Sequence, residues 1–176
     1  YLRYARLPTP YREPVDLAEV LEGFSRFVAG EMEDSQIDLQ LKIPPREPRF
    51  VIEGDRDQIR QGLLNLIRNA KEALLESPSP RIIELYLWPL EGGGARVIVQ
   101  DNGPGLDASV QEQIFDPFVT TKEGGTGLGL ALTRQIMHGH RGTLTATERE
   151  DGAPGACFVL TFPYKRRDHA VVEESG

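Results

Sequence analysis

Asn65 and Asn69 stand four residues apart in a stretch whose apolar residues recur at helical spacing, so they share one face of a helix beside its apolar stripe. Amide carbonyls suit a hard cation such as Mg²⁺, and amide N–H groups donate to phosphate oxygens. Asp101-Asn102-Gly103-Pro104-Gly105 follows an apolar, β-branched run. An aspartate at a strand end can accept a hydrogen bond from an amino group such as that of adenine. The glycines let the backbone turn sharply beside a flat ligand. Gly124-Gly125-Thr126-Gly127-Leu128-Gly129-Leu130 runs straight into a third periodic segment, and the free N–H groups at a helix N-terminus attract phosphate. Between the two glycine loops lies Phe115-Asp116-Pro117-Phe118-Val119-Thr120-Thr121-Lys122. Two rings can anchor a loop there while Lys122 reaches a terminal phosphate. Each segment alone has a plainer reading: two solvated amides, a β-turn, a capped flexible loop, and a surface loop pinned by buried rings. The third segment is not a P-loop, because no Gly-Lys-Ser/Thr follows. Nor does it match a dinucleotide fingerprint, because a loop precedes it and not a strand.

The elements that must position these residues are legible in the periodicity. Asp16 opens a helix to about Met32, with Glu19 at the capping-box position and Leu17, Val20, Leu21, Phe24, Phe27 and Val28 as its apolar stripe. Residues 37–43 alternate as a half-buried strand, and 50–52 form a short one. Asp55 opens a second helix, with Gln58 at the capping-box position and Ile59, Leu63, Leu66, Ile67, Ala70 and Leu74 facing the core. Residues 81–90 and 95–100 read as a hairpin around Gly92-Gly93-Gly94. A short helix follows near 109–115, then a third helix over 128–137. A last strand pair spans 143–148 and 156–162. This order predicts an α/β (α+β) two-layer sandwich, with three helices on one face of a mixed, mostly antiparallel sheet.

Length and composition are consistent with one folded domain. The 176 residues are 39% hydrophobic and 27% charged, enough for a core without staples. A net charge of −7 gives nucleic acid no bulk attraction. The single cysteine, Cys157, lies in an apolar run and reads as core filler. No segment is apolar and long enough to span a bilayer, which makes a cytoplasmic location the expectation, with an anchor elsewhere in a longer parent left open. Residues 1–13 read as the end of a preceding element plus a linker, 14–164 as the domain, and 165–176 as a charged, disordered tail.

In their order, the four segments resemble the ATP-binding catalytic domain of bacterial sensor histidine kinases, in the superfamily shared with gyrase, Hsp90 chaperones and MutL. The resemblance covers roughly residues 14–163. Phe118-Val119-Thr120-Thr121-Lys122 with Gly-Gly-Thr-Gly-Leu-Gly-Leu is most similar to the nitrogen-regulation branch. The resemblance implies a Bergerat-type fold that takes ATP and Mg²⁺. It implies that Asn69, with Asn65, holds Mg²⁺ and phosphate, that Asp101 accepts from the adenine amino group, and that Gly103 and Gly105 shape the base pocket. Thr120 to Thr126, including Thr121, would form a lid. Lys122 would contact phosphate when it closes. Gly125, Gly127 and Gly129, flanking Thr126 and Leu128, would give backbone donors, and Thr161 would line the adenine pocket. One departure is Glu72, where many relatives carry a Lys or Arg.

The implied reaction transfers the ATP γ-phosphoryl group to a histidine on a separate dimerisation domain, for relay to a response regulator. None of His138, His140 and His169 has acceptor-box surroundings. His138 and His140 read as helix-terminus residues, where a cation is favoured. Residues 1–7 resemble the end of the dimerisation helix, so the acceptor is expected upstream. Direct contact with nucleic acid or membrane is not expected. Three alternatives stand against this reading: an ATP-hydrolysing relative, a non-catalytic docking module, and a serine kinase of the anti-sigma-factor type, against which the helix remnant at residues 1–7 argues. Gyrase-type members carry a water-activating glutamate where this chain has Asn65.

Overall fold

The protein is described here by a computed structural model covering residues 7–45, 50–117 and 128–163. Strand β1 (Glu13–Asp16) leads into helix α1 (Leu17–Asp34), followed by β2 (Ile37–Lys42) and β3 (Val51–Gly54). Helix α2 (Arg56–Leu75) and the hairpin β4 (Arg81–Pro89) and β5 (Gly94–Asp101) come next. A single 3-10 turn (Gln113–Phe115), helix α3 (Gly129–Gly139), β6 (Thr143–Thr147) and β7 (Cys157–Pro163) complete the order.

The main sheet runs β2-β4-β5-β7-β6, and β1 and β3 form a separate two-stranded ribbon. In the main sheet β2 pairs with β4 in parallel and every other pairing is antiparallel. Alternation puts Ile83, Leu85 and Leu87 of β4, Val97 and Val99 of β5, and Phe158, Leu160 and Phe162 of β7 on the buried face. The helices cover that face. The opposite face carries Glu84, Tyr86, Trp88, Arg96 and Gln100, with Trp88 52% exposed. The expected two-layer sandwich is present.

Helix starts follow the sequence, but their caps differ from the boxes expected. Asp16 accepts from Ala18 N at 2.9 Å. Asp55 Oδ1 accepts from Asp57 N and Gln58 N, both at 3.1 Å. Gln58 does not reach back to Asp55; its Nε2 donates to Pro8 O at 2.9 Å. Leu63, Leu66, Ile67 and Leu74 of α2 are fully buried, each worth about 1.5–3 kcal/mol of transfer from water. Phe27 departs from the predicted stripe: it is 66% exposed, with the Arg60 guanidinium 5.5 Å from its ring centre.

Residues 7–16 are fastened to the domain. β1 pairs antiparallel with β3, Val15 opposite Ile52. Tyr11 N donates to Asp55 Oδ2 at 2.9 Å, and Arg12 Nη2 donates to Gly139 O at 2.6 Å. The short helix expected near 109–115 is only the 3-10 turn and the turns before it. Among the described residues, no helix is long and apolar enough to cross a membrane.

Candidate functional site

Asp101 ends β5 opposite Ile83. It follows Ala95, Val97 and Val99 in the alternation, so its side chain points to the helix-covered face and is 2% exposed. Its Oδ1 accepts from Gly103 N at 2.9 Å and Ala156 N at 3.2 Å. Its own N–H donates to Ala156 O at 3.0 Å. The carboxylate is therefore oriented by backbone donors from two chain segments. Gly103 is required by close approach: a Cβ there would lie 3.1 Å from Asp101 Oδ1 and 3.6 Å from Leu74 Cδ2. Gly105 packs on the Gly155 carbonyl, 3.0 Å from where a Cβ would stand.

Asn102 fixes the same turn from the other side. Its Oδ1 accepts from Ile82 N at 2.8 Å and its Nδ2 donates to Pro80 O at 2.7 Å. The side chain thus stitches the start of β4 to the end of β5.

Asn65 and Asn69 are both half-buried on α2. Asn65 Nδ2 lies 3.3 Å from Gly129 O and 3.3 Å from Thr133 Oγ1, in the first turn of α3. Thr133 Oγ1 in turn donates to Gly129 O at 2.9 Å. The Asn65 amide nitrogen is thus committed to α3, and only its Oδ1 remains for a cation. The stripe Asn65–Asn69–Ala73 then runs along α2 from the start of α3 to the Asp101 turn, where Ala73 Cβ lies 3.7 Å from the Gly103 Cβ position. Eight helical rises separate Asn65 from Ala73, about 12 Å in all. Leu128 holds the N-cap position of α3, and the apolar side chain there makes no cap hydrogen bond to the first turn.

Phe115 is buried edge-on against Phe158, with ring centres 6.2 Å apart. It anchors the chain where it leaves the 3-10 turn, as expected for the first ring of Phe115-Asp116-Pro117-Phe118. Thr121, Lys122, Gly125, Thr126 and Gly127, with the rest of the expected lid and Phe118, lie outside the described residues.

Thr161 requires a correction. It pairs with Arg96 and Thr143 and alternates with the inward-facing Leu160 and Phe162, so its side chain emerges on the face away from Asp101 and the helices. The β7 end reaches the pocket through the N–H of Ala156 instead. Gly155 admits this approach: its φ is +146°, and a Cβ would fall 1.9 Å from Asp101 O. The sequence marks this approach only by the glycine just before the last strand. Asn102 reads in the sequence as a turn residue.

His140 also differs from expectation. It is buried at the end of α3, and its Nε2 accepts from Asp55 N at 2.9 Å. It is a buried fastening residue between α3 and the start of α2, not an exposed helix-terminus residue. Cys157 is buried, and that burial pushes its thiol up, away from thiolate character. Asp55 experiences some burial, but the N–H groups of Tyr11, Gln58 and Asp57 outweigh it and hold its carboxyl below the usual range.

Among the described residues no group of three or more His, Cys, Asp or Glu side chains could hold a metal ion. Amide oxygens on α2 fit a different use, a hard cation whose other ligands are phosphate oxygens and water.

The sequence matches the family described as histidine kinase-, DNA gyrase B- and HSP90-like ATPases over residues 54–166, more than half of the chain. The chain belongs to this ATPase family. It is 37% identical over 165 residues to the C4-dicarboxylate transport sensor protein DctB of Rhizobium meliloti, covering 91% of this chain and 25% of that protein. It is 34% identical over 171 residues to the sensory histidine kinase/phosphatase NtrB of Rhodobacter capsulatus, covering 92% of this chain and 46% of the relative. The chain therefore spans between a quarter and a half of these relatives. Among solved structures, full-length ShkA in complex with AMPPNP superposes with a TM-score of 0.77 at 26% identity, over 91% of this chain and 32% of that one. Histidine kinase ThkA in complex with the response regulator TrrA superposes at 0.72 with 27% identity, over 88% of this chain and 42% of that one. The layers, the strand order and the family agree, and the domain is of the histidine-kinase ATPase type.

Proposed function

We propose that this domain binds ATP with Mg²⁺ and presents the γ-phosphoryl group to a histidine of a separate helical domain, for onward transfer to a response regulator. The observation that carries this reading is the α2 stripe, which joins a buried, backbone-oriented carboxylate at one end to the start of α3 at the other. In this reading Asp101 accepts from the adenine amino group, and the Gly103–Gly105 turn walls the base. Asn69 and the Asn65 carbonyl face the phosphates and their cation. The first-turn N–H groups of Leu128 and Gly129 donate to phosphate oxygens, and Gly125, Gly127 and Lys122 add donors from the lid over residues 120–126. A bound Mg²⁺ would offset phosphate charge during transfer.

The acceptor imidazole nitrogen attacks the γ-phosphorus, the bond to the β-phosphate oxygen breaks, and ADP leaves. The domain supplies positioning and charge complementarity. An amide at Asn65 cannot take a proton from water as a carboxylate can, which favours transfer over hydrolysis. Support from relatives is of the same kind: ShkA was solved with a nucleotide analogue and ThkA with a response regulator. A domain using ATP this way works on the cytoplasmic side of a membrane.

The test is phosphorylation in trans. The chain is mixed with Mg-ATP labelled at the γ position and with the helical dimerisation domain of NtrB or DctB. Acid-labile, base-stable label should appear on the helical domain and fall about 10²-fold in Asn69→Ala. Steady ATP hydrolysis without any label transfer would instead establish the hydrolase alternative.

A further inference from the structure

Arg149 lies in the turn between β6 and β7, and its side chain is only 11% exposed. Its Nη1 donates to the backbone carbonyl of Asp101 at 3.1 Å. Nε and Nη2 fork onto Asp151, at 3.0 Å to Oδ1 and 2.6 Å to Oδ2. Nη2 also stands 3.8 Å from Glu84 Oε1. Glu84 is itself held by Lys42 at 2.8 Å, by Gln100 at 3.2 Å and by the Tyr86 hydroxyl. The guanidinium is thus fixed by two carboxylates, and its Nη1 is aimed at the strand end that carries Asp101.

Packing leaves this junction little slack. The missing Gly155 side chain would collide with both Asp101 O and Arg149 Cδ, at 1.9 and 2.9 Å. Gly155 immediately precedes Ala156, whose N–H orients Asp101 Oδ1. Arg149 therefore clamps the β6–β7 turn to β5 at the residue pair that aims the carboxylate, although it touches only the backbone of Asp101.

We propose that Arg149 is a positioning residue for Asp101, and that through this clamp it sets the selectivity of the pocket for the 6-amino group of adenine. The proposal rests on the reading of Asp101 as the adenine acceptor. Without the clamp, the turn can move off the end of β5, the Ala156 N–H leaves Oδ1, and the carboxylate loses its single orientation. A ligand with a carbonyl in place of the 6-amino group never used that orientation and loses less.

The test compares Mg-ADP and Mg-IDP affinities by calorimetry on the parent chain, Asp101→Asn, Arg149→Met and Arg149→Lys, each shown folded by its thermal melt. The parent should prefer ADP, and Asp101→Asn should lose that preference. Arg149→Met should reduce the ADP-to-IDP ratio at least about threefold, the low end for one hydrogen bond. Arg149→Lys, which keeps one charged donor without the fork, should fall between parent and Met. A merely structural loss of stability would weaken both ligands alike and leave the ratio unchanged. A parent that does not distinguish ADP from IDP removes the underlying reading of Asp101. A parent preference lost in Asp101→Asn but unchanged in the folded Arg149 variants overturns the role of Arg149 alone. If Arg149→Met does not fold, the Lys variant decides: a reduced ratio supports the clamp and the parent's ratio overturns it.

Discussion

His140 lies at the C-terminus of α3, and backbone groups engage both of its ring nitrogens. Nε2 accepts the Asp55 N–H at 2.9 Å, and Nδ1 faces Ile136 O at 2.8 Å. The residue joins three segments: the end of α3, the start of α2, and, through Asp55 and Tyr11, the incoming chain. It is 5% exposed, which fits a fastening role and not a phosphoacceptor. His140→Ala should cost about 1–3 kcal/mol, from a buried N–H left without its acceptor. Urea unfolding would read that loss. ADP affinity should stay within about twofold, because the Asn65–Ala73 stripe and the Asp101 turn lie elsewhere. A large loss of affinity with unchanged stability would contradict this assignment.

At the scale of elements, the outer face of the sheet makes its own prediction. Lys42 of β2, Glu84 and Tyr86 of β4 and Gln100 of β5 meet around the Glu84 carboxylate. Burial pushes the Glu84 carboxyl up, but the hydrogen bonds from Lys42, Tyr86 and Gln100 outweigh it and hold it below the usual glutamate range. A carboxyl lowered by folding adds stability above its unfolded value, about 4.3. That stability is lost as the pH falls from there through the lower folded value. Thermal melts should therefore show the parent above Glu84→Gln at pH 7, with the gap closing below about pH 4. A gap that does not change with pH would contradict the assignment.

The elements themselves were largely legible in the sequence. Three helices and the five strands of the main sheet appear close to where periodicity placed them, because each has one buried face that its period must match. β1 was not legible: Glu13-Pro14-Val15-Asp16 carries one apolar residue and pairs only with β3, a partner distant in sequence. The predicted helix near 109–115 is reduced to turns: Asp107 Oδ1 accepts from Ser109 N at 3.0 Å as a cap would, but only Gln113–Phe115 continue, as a 3-10 turn. At the site, the Asn65–Asn69 stripe and the Asp101 turn were visible because residue type and spacing express them locally. Thr161 was misplaced by one step of strand alternation. Arg149 and Ala156 could not be found from sequence, since their roles consist of contacts with Asp101 from 48 and 55 residues away.

Over the whole molecule, a single layer of helices on the five-stranded main sheet leaves strand ends and helix ends at the margins of the layer. The Asp101 turn, the start of α3 and the stripe between them meet at such a margin. A net charge of −7 opposes a polyanion in general. In the proposed function, binding then depends on local donors and on the Asp101 carboxylate as the acceptor for the base. The most direct measurement is calorimetric titration of Mg-ADP and Mg-AMPPNP into the folded chain and into Asp101→Asn. The account predicts saturable binding of both by the parent and an affinity at least about tenfold weaker in the variant. A folded parent chain that binds neither nucleotide would contradict it.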